Sequence, residues 1–386
     1  MRLRRLALVG PCLLVAGCGF GGSGQIDAVG SWGRLPDPPI SPRELSVGVW
    51  TGREALLLGG SDAPPTHPSS GGPAKPQPPL RDGAAFNPRT GSWRRIAEAP
   101  IGIEPISPAA AAGDSVYVAV PRNPGVRHTR MDLLAYRTRR DTWHRLPSPP
   151  RRNYRLVGAG DRLVAYGPER GPVPLSVFLL GPRERRWKEL PSPPIRGVVV
   201  WDGRRLVLIG FDPAARNAEN PPLARAATLE LGDAAWRRLP DSDHVLWGHG
   251  FWVPVGRRLV SPELGTGNVD YSFGRPYGGI LHPVRGVWSE LPNVPEPSEE
   301  RGTEFGTGVL TRARLVGGSP RSLVLDTTQD DWIRVPRLWS DRTAPHGSTS
   351  VNTRRRLLVF GGARWSRRHP DGKLLNDAWL WTPPRD

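Results

Sequence analysis

Residues 187–191 read Trp-Lys-Glu-Leu-Pro, and the same pattern of a tryptophan, an aliphatic residue three positions later and then a proline recurs along the chain. The copies begin at Trp32, Trp93, Trp143, Trp187, Trp236, Trp288 and Trp332, and only the second, which ends at Ile96, lacks the proline. Successive copies are 44 to 61 residues apart. A period near 50 residues indicates a repeat protein in which each unit is one small sheet.

Each unit carries the signals of four short strands. A hairpin comes first, as in Val198–Trp201 and Leu206–Ile209, which are joined by Asp202-Gly203. Asp-Gly between apolar runs favours a tight turn because both residues tolerate positive φ. A third apolar run then precedes each tryptophan, at Ala84–Phe86, Leu133–Tyr136, Val177–Leu180, Ala227–Leu231, Gly279–Leu281 and Leu323–Leu325. The tryptophan opens the fourth strand, and we interpret it as a packing residue between units.

Paired glycines end several second strands, at Gly59-Gly60, Gly317-Gly318 and Gly361-Gly362. With the downstream tryptophan, they make residues 32–381 resemble the kelch family. Single glycines, Gly167 and Gly210, stand at this position in units three and four, and units two and five have none. The resemblance implies an all-β fold, a kelch-type β-propeller.

The two ends of the chain predict how the ring closes. The last unit supplies only three strands before the chain reaches Asp386, whereas the segment Trp32–Leu35 is a surplus fourth strand. Seven complete units result if this N-terminal strand becomes the outer strand of the last blade, which also removes an unpaired edge. We therefore predict a seven-bladed propeller. The alternative is a six-bladed ring with unpaired ends.

The N-terminal sequence MRLRRLALVGPCLLVAGC is typical of an export signal. Three arginines precede an apolar run, Leu6–Ala16, that is too short to span a bilayer. The run ends in Leu14–Cys18, which resembles the bacterial lipobox, and this resemblance implies that Cys18 is lipidated and becomes the mature N-terminus. The alternative is an ordinary signal peptide with a chance cysteine. We divide the chain into a signal peptide (1–17), a lipidated cysteine with a glycine-rich tether (18–30) and the propeller (31–386).

Cysteine usage limits the chemistry that we expect. Cys12 lies within the signal, so the mature chain would hold Cys18 alone, with no disulfide and no thiol for catalysis. Galactose oxidase is a propeller similar to the kelch type, but its copper site needs a cysteine that this chain lacks. His244 and His249 are an odd number of residues apart, which does not place both rings on one strand face. We predict no metal and no cofactor.

The chain is strongly basic, with a formal charge of +17 that falls to +14 without the three arginines of the signal. The excess is arginine in pairs spread along the whole chain, such as Arg94-Arg95 and Arg237-Arg238. No single run resembles a nucleic-acid arm. We therefore predict no nucleic-acid partner, and we interpret the scattered arginines as solvated edge residues.

Strand alternation places the long, irregular connections on one side of the ring, where binding residues commonly lie. These connections are Ser61–Asp82, Asp212–Arg225, Glu263–Tyr277 and Ala363–Leu375, together with segments between units. The ligand-binding candidates of the chain are Arg151, Arg152, Tyr154, Arg216, Trp247, His249, Tyr271, Tyr277, Arg301, Trp365 and His369. Catalytic residues remain unassigned.

These patterns predict a monomeric, lipid-anchored module outside the cell membrane that binds a protein or a glycan of the envelope. The alternative is a carbohydrate-active enzyme, of the sugar isomerase or lyase type, with its site in the central funnel. A buried carboxylate beside Arg or His in the funnel, with a perturbed pKa, would favour the enzyme.

Overall fold

The computed structural model describes residues 28–63, 78–105, 107–123, 129–167, 175–212, 223–242, 251–262, 279–292, 307–312, 314–317, 322–339, 344–366 and 369–384. Within these segments every regular element is a β-strand, and none of them contains a helix long and apolar enough to cross a membrane. The predicted signal, Cys18 and most of the predicted tether lie outside the described residues.

The strands form seven four-stranded sheets, the blades. Blade 1 has β2 (Val47–Trp50), β3 (Ala55–Leu58), β4 (Gly83–Asn87) and β5 (Ser92–Ile96). Blade 2 has β6 (Ala109–Ala112), β7 (Ser115–Pro121), β8 (Met131–Arg137) and β9 (Thr142–Leu146). Blade 3 has β10 (Arg155–Ala159), β11 (Arg162–Gly167), β12 (Ser176–Leu180) and β13 (Lys188–Glu189). Blade 4 has β14 (Arg196–Trp201), β15 (Arg205–Phe211), β16 (Arg225–Glu230) and β17 (Arg237–Arg238).

Blade 5 has β18 (Val253–Val255), β19 (Arg258–Val260), β20 (Ile280–His282) and β21 (Val287–Ser289). Blade 6 has β22 (Thr307–Leu310), β23 (Leu315–Gly317), β24 (Leu323–Asp326) and β25 (Asp331–Arg334). Blade 7 has β26 (Thr349–Thr353), β27 (Arg356–Phe360), β30 (Ala378–Thr382) and the N-terminal strand β1 (Ser31–Arg34). A separate hairpin pairs β28 (Ala363–Ser366) with β29 (His369–Leu374).

The hydrophobic core lies between blades. The interior strands are buried on both faces, as in β3, where all four residues are buried. Alternate side chains therefore enter two different clusters: Leu56 and Leu58 pack toward blade 2, and Ala55 and Leu57 toward blade 7. Each pair of neighbouring blades shares one such cluster, including blades 7 and 1. A blade consequently buries its apolar faces only when both neighbours are present.

The repeat tryptophans join neighbouring blades, as predicted, and they do so through a hydrogen bond as well as by packing. The indole Nε1 donates to a backbone carbonyl at the end of the preceding outer strand, over 2.7–3.1 Å. The pairs are Trp32–Pro336, Trp143–Ala97, Trp187–Pro147, Trp236–Pro191, Trp288–Pro240 and Trp332–Pro292. The acceptor is the residue at the proline position of the repeat. Among the repeat tryptophans, Trp93 alone keeps a buried Nε1 with no partner among the described residues.

The ring closes as the ends of the sequence predicted. β1 pairs antiparallel with β30, from Ser31 opposite Thr382 to Arg34 opposite Trp379. Trp32 then reaches back to Pro336 of blade 6, so the N-terminal strand makes the same contact as the outer strands of other blades. The fully buried Trp381 donates to the carbonyl of Val29 at 3.0 Å. The fold is a seven-bladed β-propeller, and the six-bladed alternative was wrong.

Blade 6 departs from the predicted alternation of strand direction. Its order is β23-β22-β24-β25, and β22 lies parallel to β24. β22 forms four residue pairs with β24, and its Val309 and Leu310 are almost fully buried. The longer strand thus takes the interior position, where both of its edges are paired, and the three-residue β23 moves to the inner edge.

The predicted irregular connection Ala363–Leu375 is in fact ordered as the β28–β29 hairpin. Ala363 pairs with Leu374 and Ser366 with His369, with a shift of register between them. Gly372, with φ of 85°, adopts a conformation that favours glycine. The hairpin extends from blade 7, to which Leu375 N is bound through the carbonyl of Gly362.

Two faces of the ring follow from the strand order. The first strands of neighbouring blades lie side by side around the axis, as β6 does beside β10 and β2 beside β26. We call the side that carries the turns within the first and second hairpins of each blade the turn face; Thr51–Glu54 and Asn87–Gly91 are examples. The opposite side, with the longer connections, is the loop face.

Trp143 and Trp93 offer a matched test of the interblade hydrogen bond. Both are half-buried and both stack on an aromatic ring of the third strand, Tyr136 at 5.1 Å and Phe86 at 4.8 Å. We predict that Trp143→Phe lowers the free energy of unfolding by about 1–2 kcal/mol more than Trp93→Phe, because only Trp143 leaves an acceptor unpaired. Chemical denaturation measures this difference. Equal losses would show that the hydrogen bond contributes nothing beyond packing.

Candidate functional site

The sequence predicted that all the ligand-binding candidates lie on the loop face, and the structure describes five of them. Six lie outside the described residues: Arg216, Trp247, His249, Tyr271, Tyr277 and Arg301. Arg151, Arg152 and Tyr154 lie between blades 2 and 3, and Trp365 and His369 lie on the hairpin of blade 7. The structure therefore separates the described candidates into two sectors.

Tyr154 corrects one expectation for the first sector. Its side chain is only 3% exposed and packs in the cluster between blades 2 and 3, because the chain turns inward at Asn153, which has a φ of 56°. Burial raises the pKa of Tyr154 well above its ordinary value. Arg151 donates to Ser176 Oγ at 2.7 Å, and Arg152 is exposed. Only the arginines of this segment are accessible to a ligand.

The second sector is tied to the inner strands. Ala363, at the base of the hairpin, exchanges two backbone hydrogen bonds with His346, at 2.7 and 2.8 Å. Trp365 is half-buried on β28, and the backbone of His369 begins β29. His346 precedes β26, the inner strand of blade 7. The hairpin therefore stands directly beside the loop-face end of the central channel.

The paired glycines shape the chain at this end of the channel. Gly60 and Gly362 have φ of 91° and 95°, and a Cβ on them would lie 2.6 Å from the Glu44 carbonyl oxygen and 2.7 Å from that of His346. Any larger residue would push these segments away. The backbone of Leu45 in turn donates to Gly347 O at 2.7 Å and joins blades 1 and 7. We call Glu44, Leu45 and His346 the mouth cluster.

Glu44 is the ionisable centre of the mouth cluster. Burial raises the pKa of its carboxyl above the ordinary value, and the charge of nearby His346 opposes part of this effect. Glu44 and His346 each lie just before the first strand of their blade, but no motif marks either of them. Sequence reasoning missed both because they lie 302 positions apart and meet only when the ring closes.

Leu45 is the strained member of the mouth cluster. It has a φ of 59°, a left-handed conformation that costs a non-glycine residue roughly 1–2 kcal/mol, and its side chain is 43% exposed. A strained, exposed leucine gives the fold no obvious benefit, so the outlier motivates a functional hypothesis. It offers an apolar contact next to a carboxylate and an imidazole.

An ion pair between Arg43 and Asp82 lies directly beside the mouth cluster, because Arg43 immediately precedes Glu44. The side chain of Arg43 is 1% exposed and donates to both carboxylate oxygens of Asp82, at 2.6 and 2.9 Å. It also donates to the carbonyls of Ser41 and Gly59. Burial alone would raise the pKa of Asp82, but hydrogen bonds and charge from Arg43 outweigh it and lower the pKa. Removal of either partner would leave a costly unpaired charge.

The mouth cluster can bind a polar ligand through hydrogen bonds, and it can exchange a proton through Glu44. The described residues contain no group of three or more His, Cys, Asp or Glu side chains able to hold a metal ion. The chemistry available at this site is therefore that of one carboxyl, one imidazole and one apolar side chain.

The turn face has a different character. Eleven exposed arginines in its turns have side chains that make no hydrogen bond or ion pair with any described residue: Arg53, Arg89, Arg139, Arg140, Arg183, Arg185, Arg186, Arg257, Arg285, Arg312 and Arg354. We call them the turn-face arginines. Arg204, in the equivalent turn of blade 4, instead pairs with Glu230. Eleven of the arginines that look scattered in the sequence thus lie on one surface, while others, such as Arg95 and Arg152, are exposed elsewhere.

A cleft of about 770 Å³ opens between the turns of blades 2 and 3. Its charged residues are Arg137, Arg140, Arg145, Arg183, Arg185, Asp114, Asp161 and Glu184. Two of the acids are already engaged, because Asp114 accepts from Ser115 Oγ and Glu184 from the backbone of Gly181. Positive charge therefore dominates this cleft.

Comparisons with known proteins supply no functional argument. No protein-family model matches the chain, and no curated protein resembles it in sequence. Among solved structures, one titled "Structure of YjhT" aligns over 88% of this chain and 99% of its own, with 12% identity and a TM-score of 0.46. The functional argument therefore depends on the site itself.

Leu45→Gly tests whether the strained leucine serves function rather than folding. We predict that this substitution leaves the free energy of unfolding unchanged or raises it by up to about 1 kcal/mol, since glycine adopts positive φ without steric cost. Thermal and chemical denaturation give the answer. A loss of more than about 1 kcal/mol would instead make the Leu45 side chain a packing residue.

Proposed function

We propose that this protein is a lipid-anchored, extracytoplasmic propeller of the kelch type that binds an envelope protein or glycan at its loop face. Two observations support the kelch assignment. The diglycines leave room for the backbones of Glu44 and His346 to pack closely against them, and the repeat tryptophans join neighbouring blades. The anchor rests on the lipobox-like sequence that ends at Cys18.

The placement of the N-terminal strand carries the proposal. Ala28 pairs beside Arg334 on the outer strand of blade 6, so the chain enters the ring at its rim. β1 then begins opposite Thr382, at the turn end of blade 7, and runs toward the loop face. A tether that ends at Cys18 would therefore hold the ring by its edge and leave the central channel and the loop face open to a ligand.

The mouth cluster is the favoured contact point within the loop face. Its carboxyl, imidazole and apolar side chain suit a partner that presents both hydrogen-bond donors and apolar surface, such as a sugar ring or a protein loop. Arg152 supplies a second, cationic contact on the same face, between blades 2 and 3. The closed ring presents these groups with little conformational freedom, which lowers the entropy cost of binding.

Cys18→Ser tests the anchor. We expect the wild-type protein to remain with the membrane fraction after a high-salt wash and the variant to be released, because a serine cannot receive the lipid. Fractionation of cells that express each form, followed by immunoblotting, measures the distribution. Cys12→Ser, within the predicted signal, is the matched control and should stay anchored. Retention of the Cys18 variant after the wash would contradict the proposal.

Glu44 favours a second candidate function, that of a carbohydrate-active enzyme. A half-buried carboxyl with a raised pKa, beside a histidine at the channel mouth, is suited to proton transfer. In that case Glu44 would be the acid–base group and His346 its electrostatic partner.

Glu44→Gln separates the two functions. A binding module shows no turnover in either form, whereas an enzyme that depends on Glu44 loses activity by roughly 10²–10⁴-fold. Proton NMR of anomer exchange in reducing sugars, and absorbance assays for unsaturated products of uronate polymers, measure the two reaction types. Turnover that is present in the wild type and lost in the Glu44→Gln variant would replace the binding proposal.

The free energy of unfolding, measured as a function of pH for the wild type and for Glu44→Gln, shows whether the variant is folded. The raised pKa of Glu44 means that the folded state binds its proton more tightly than the unfolded state. The stability that this proton confers is present below the unfolded pKa and is lost as the pH rises through the folded pKa. Glu44→Gln should lack this loss and be the more stable form at neutral pH.

A further inference from the structure

We propose that the turn face is a docking surface for anionic lipid headgroups, so that the propeller lies with this face against the membrane to which it is tethered. The inference deepens the proposed function and rests on its lipid anchor. The observation that carries it is the set of turn-face arginines, which occupy turns of every blade except blade 4.

Among the described residues, most acids of the turn face are engaged with other groups, with Asp161 as an exception, whereas the turn-face arginines are not. Asp141 accepts from Tyr136 and from the backbone of Ala97, and Asp330 pairs with Arg258. Asp233 accepts from the backbone of Glu230 within its own turn. The side chains of the turn-face arginines have no such partners among the described residues. Guanidinium groups without partners bind phosphate groups well because their fork of donors matches phosphate oxygens.

The turn-face arginines are spread around the ring, and this arrangement fits an extended anionic surface better than a single small ligand. They project from turns around the ring, and the cleft between blades 2 and 3 adds a recess in which Arg140, Arg183 and Arg185 converge. Each basic side chain near an anionic membrane strengthens binding by about fivefold, and a single lipid chain needs such a second signal for stable anchoring.

The tether permits this contact. Ser31 lies thirteen positions after Cys18, and a chain of that length spans at most roughly 45 Å. The chain enters at the rim beside Arg334, and β1 begins opposite Thr382, at the turn end of blade 7. Docking by this face would leave the loop face directed away from the membrane.

Vesicle binding by the unlipidated chain tests the proposal. All strands of the ring lie between Ser31 and Thr382, so a chain that begins at residue 19 keeps every blade. We expect it to sediment with phosphatidylcholine vesicles that contain phosphatidylglycerol and not with phosphatidylcholine alone. Binding should weaken steeply above about 0.1 M salt, where the screening length falls below about 10 Å.

Two triple variants with equal change of charge locate the surface. Arg140→Gln, Arg183→Gln and Arg185→Gln together should reduce binding to the anionic vesicles by about tenfold or more. Arg81→Gln, Arg95→Gln and Arg152→Gln, which remove exposed arginines away from the turn face, should reduce it by less than about threefold. Circular dichroism and melting curves confirm that both variants are folded.

The docking surface and the lipid anchor at Cys18 can fail independently, and the experiments tell the two failures apart. Equal losses in the two triple variants, or no binding to anionic vesicles, would overturn the docking surface even if Cys18 is lipidated. Binding to a soluble acidic polysaccharide without binding to anionic vesicles would also overturn it. If the vesicle result holds but Cys18→Ser remains in the membrane fraction, the docking surface stands and the lipid anchor fails.

Discussion

The hydrogen bond from six of the seven repeat tryptophans to the preceding outer strand is the interaction on which the ring depends. It fixes one blade against the next at a point far from the axis, where the inner strands cannot hold the blades in register. The indole ring covers apolar surface at the same time, so one residue supplies both apolar packing and a directional hydrogen bond. The acceptor is the backbone carbonyl at the proline position of the repeat, which Ala97 supplies equally well.

The closure between blades 7 and 1 is the exception and uses other contacts. Trp93 has no acceptor among the described residues, but Thr349 Oγ1 donates to Ser46 O at 2.9 Å and Gly362 N to Arg43 O at 2.9 Å. The mouth cluster lies at this same junction, beside the hairpin of blade 7. The interface that is least like the others is therefore the one that carries the candidate site, as expected where function modifies a regular scaffold.

The sequence predicted the repeat, the number of blades and the closure, because the tryptophan spacing and the surplus N-terminal strand are local signals. It could not predict the inversion of β22 and β23, since both strands are short and apolar and only their pairing distinguishes them. Glu44 and His346 escaped notice because their proximity depends on ring closure. Likewise, the turn-face arginines could not be told apart from the other scattered arginines because their turns lie on one side only in the folded ring. Tyr154 was expected at the surface since nothing local revealed the inward turn at Asn153.

Amide hydrogen exchange in β30 tests the central claim, that the N-terminal strand completes the last blade, most directly. If β1 covers β30, the amides of Ala378–Thr382 are flanked by strands on both sides and should exchange as slowly as those of residues 133–137 in the third strand of blade 2, which pairs on both sides. Mass spectrometry of peptides from the chain that begins at residue 19 gives both rates in one experiment. Exchange in β30 at the rate of an exposed edge strand, with slow exchange in residues 133–137 of blade 2, would contradict the closure.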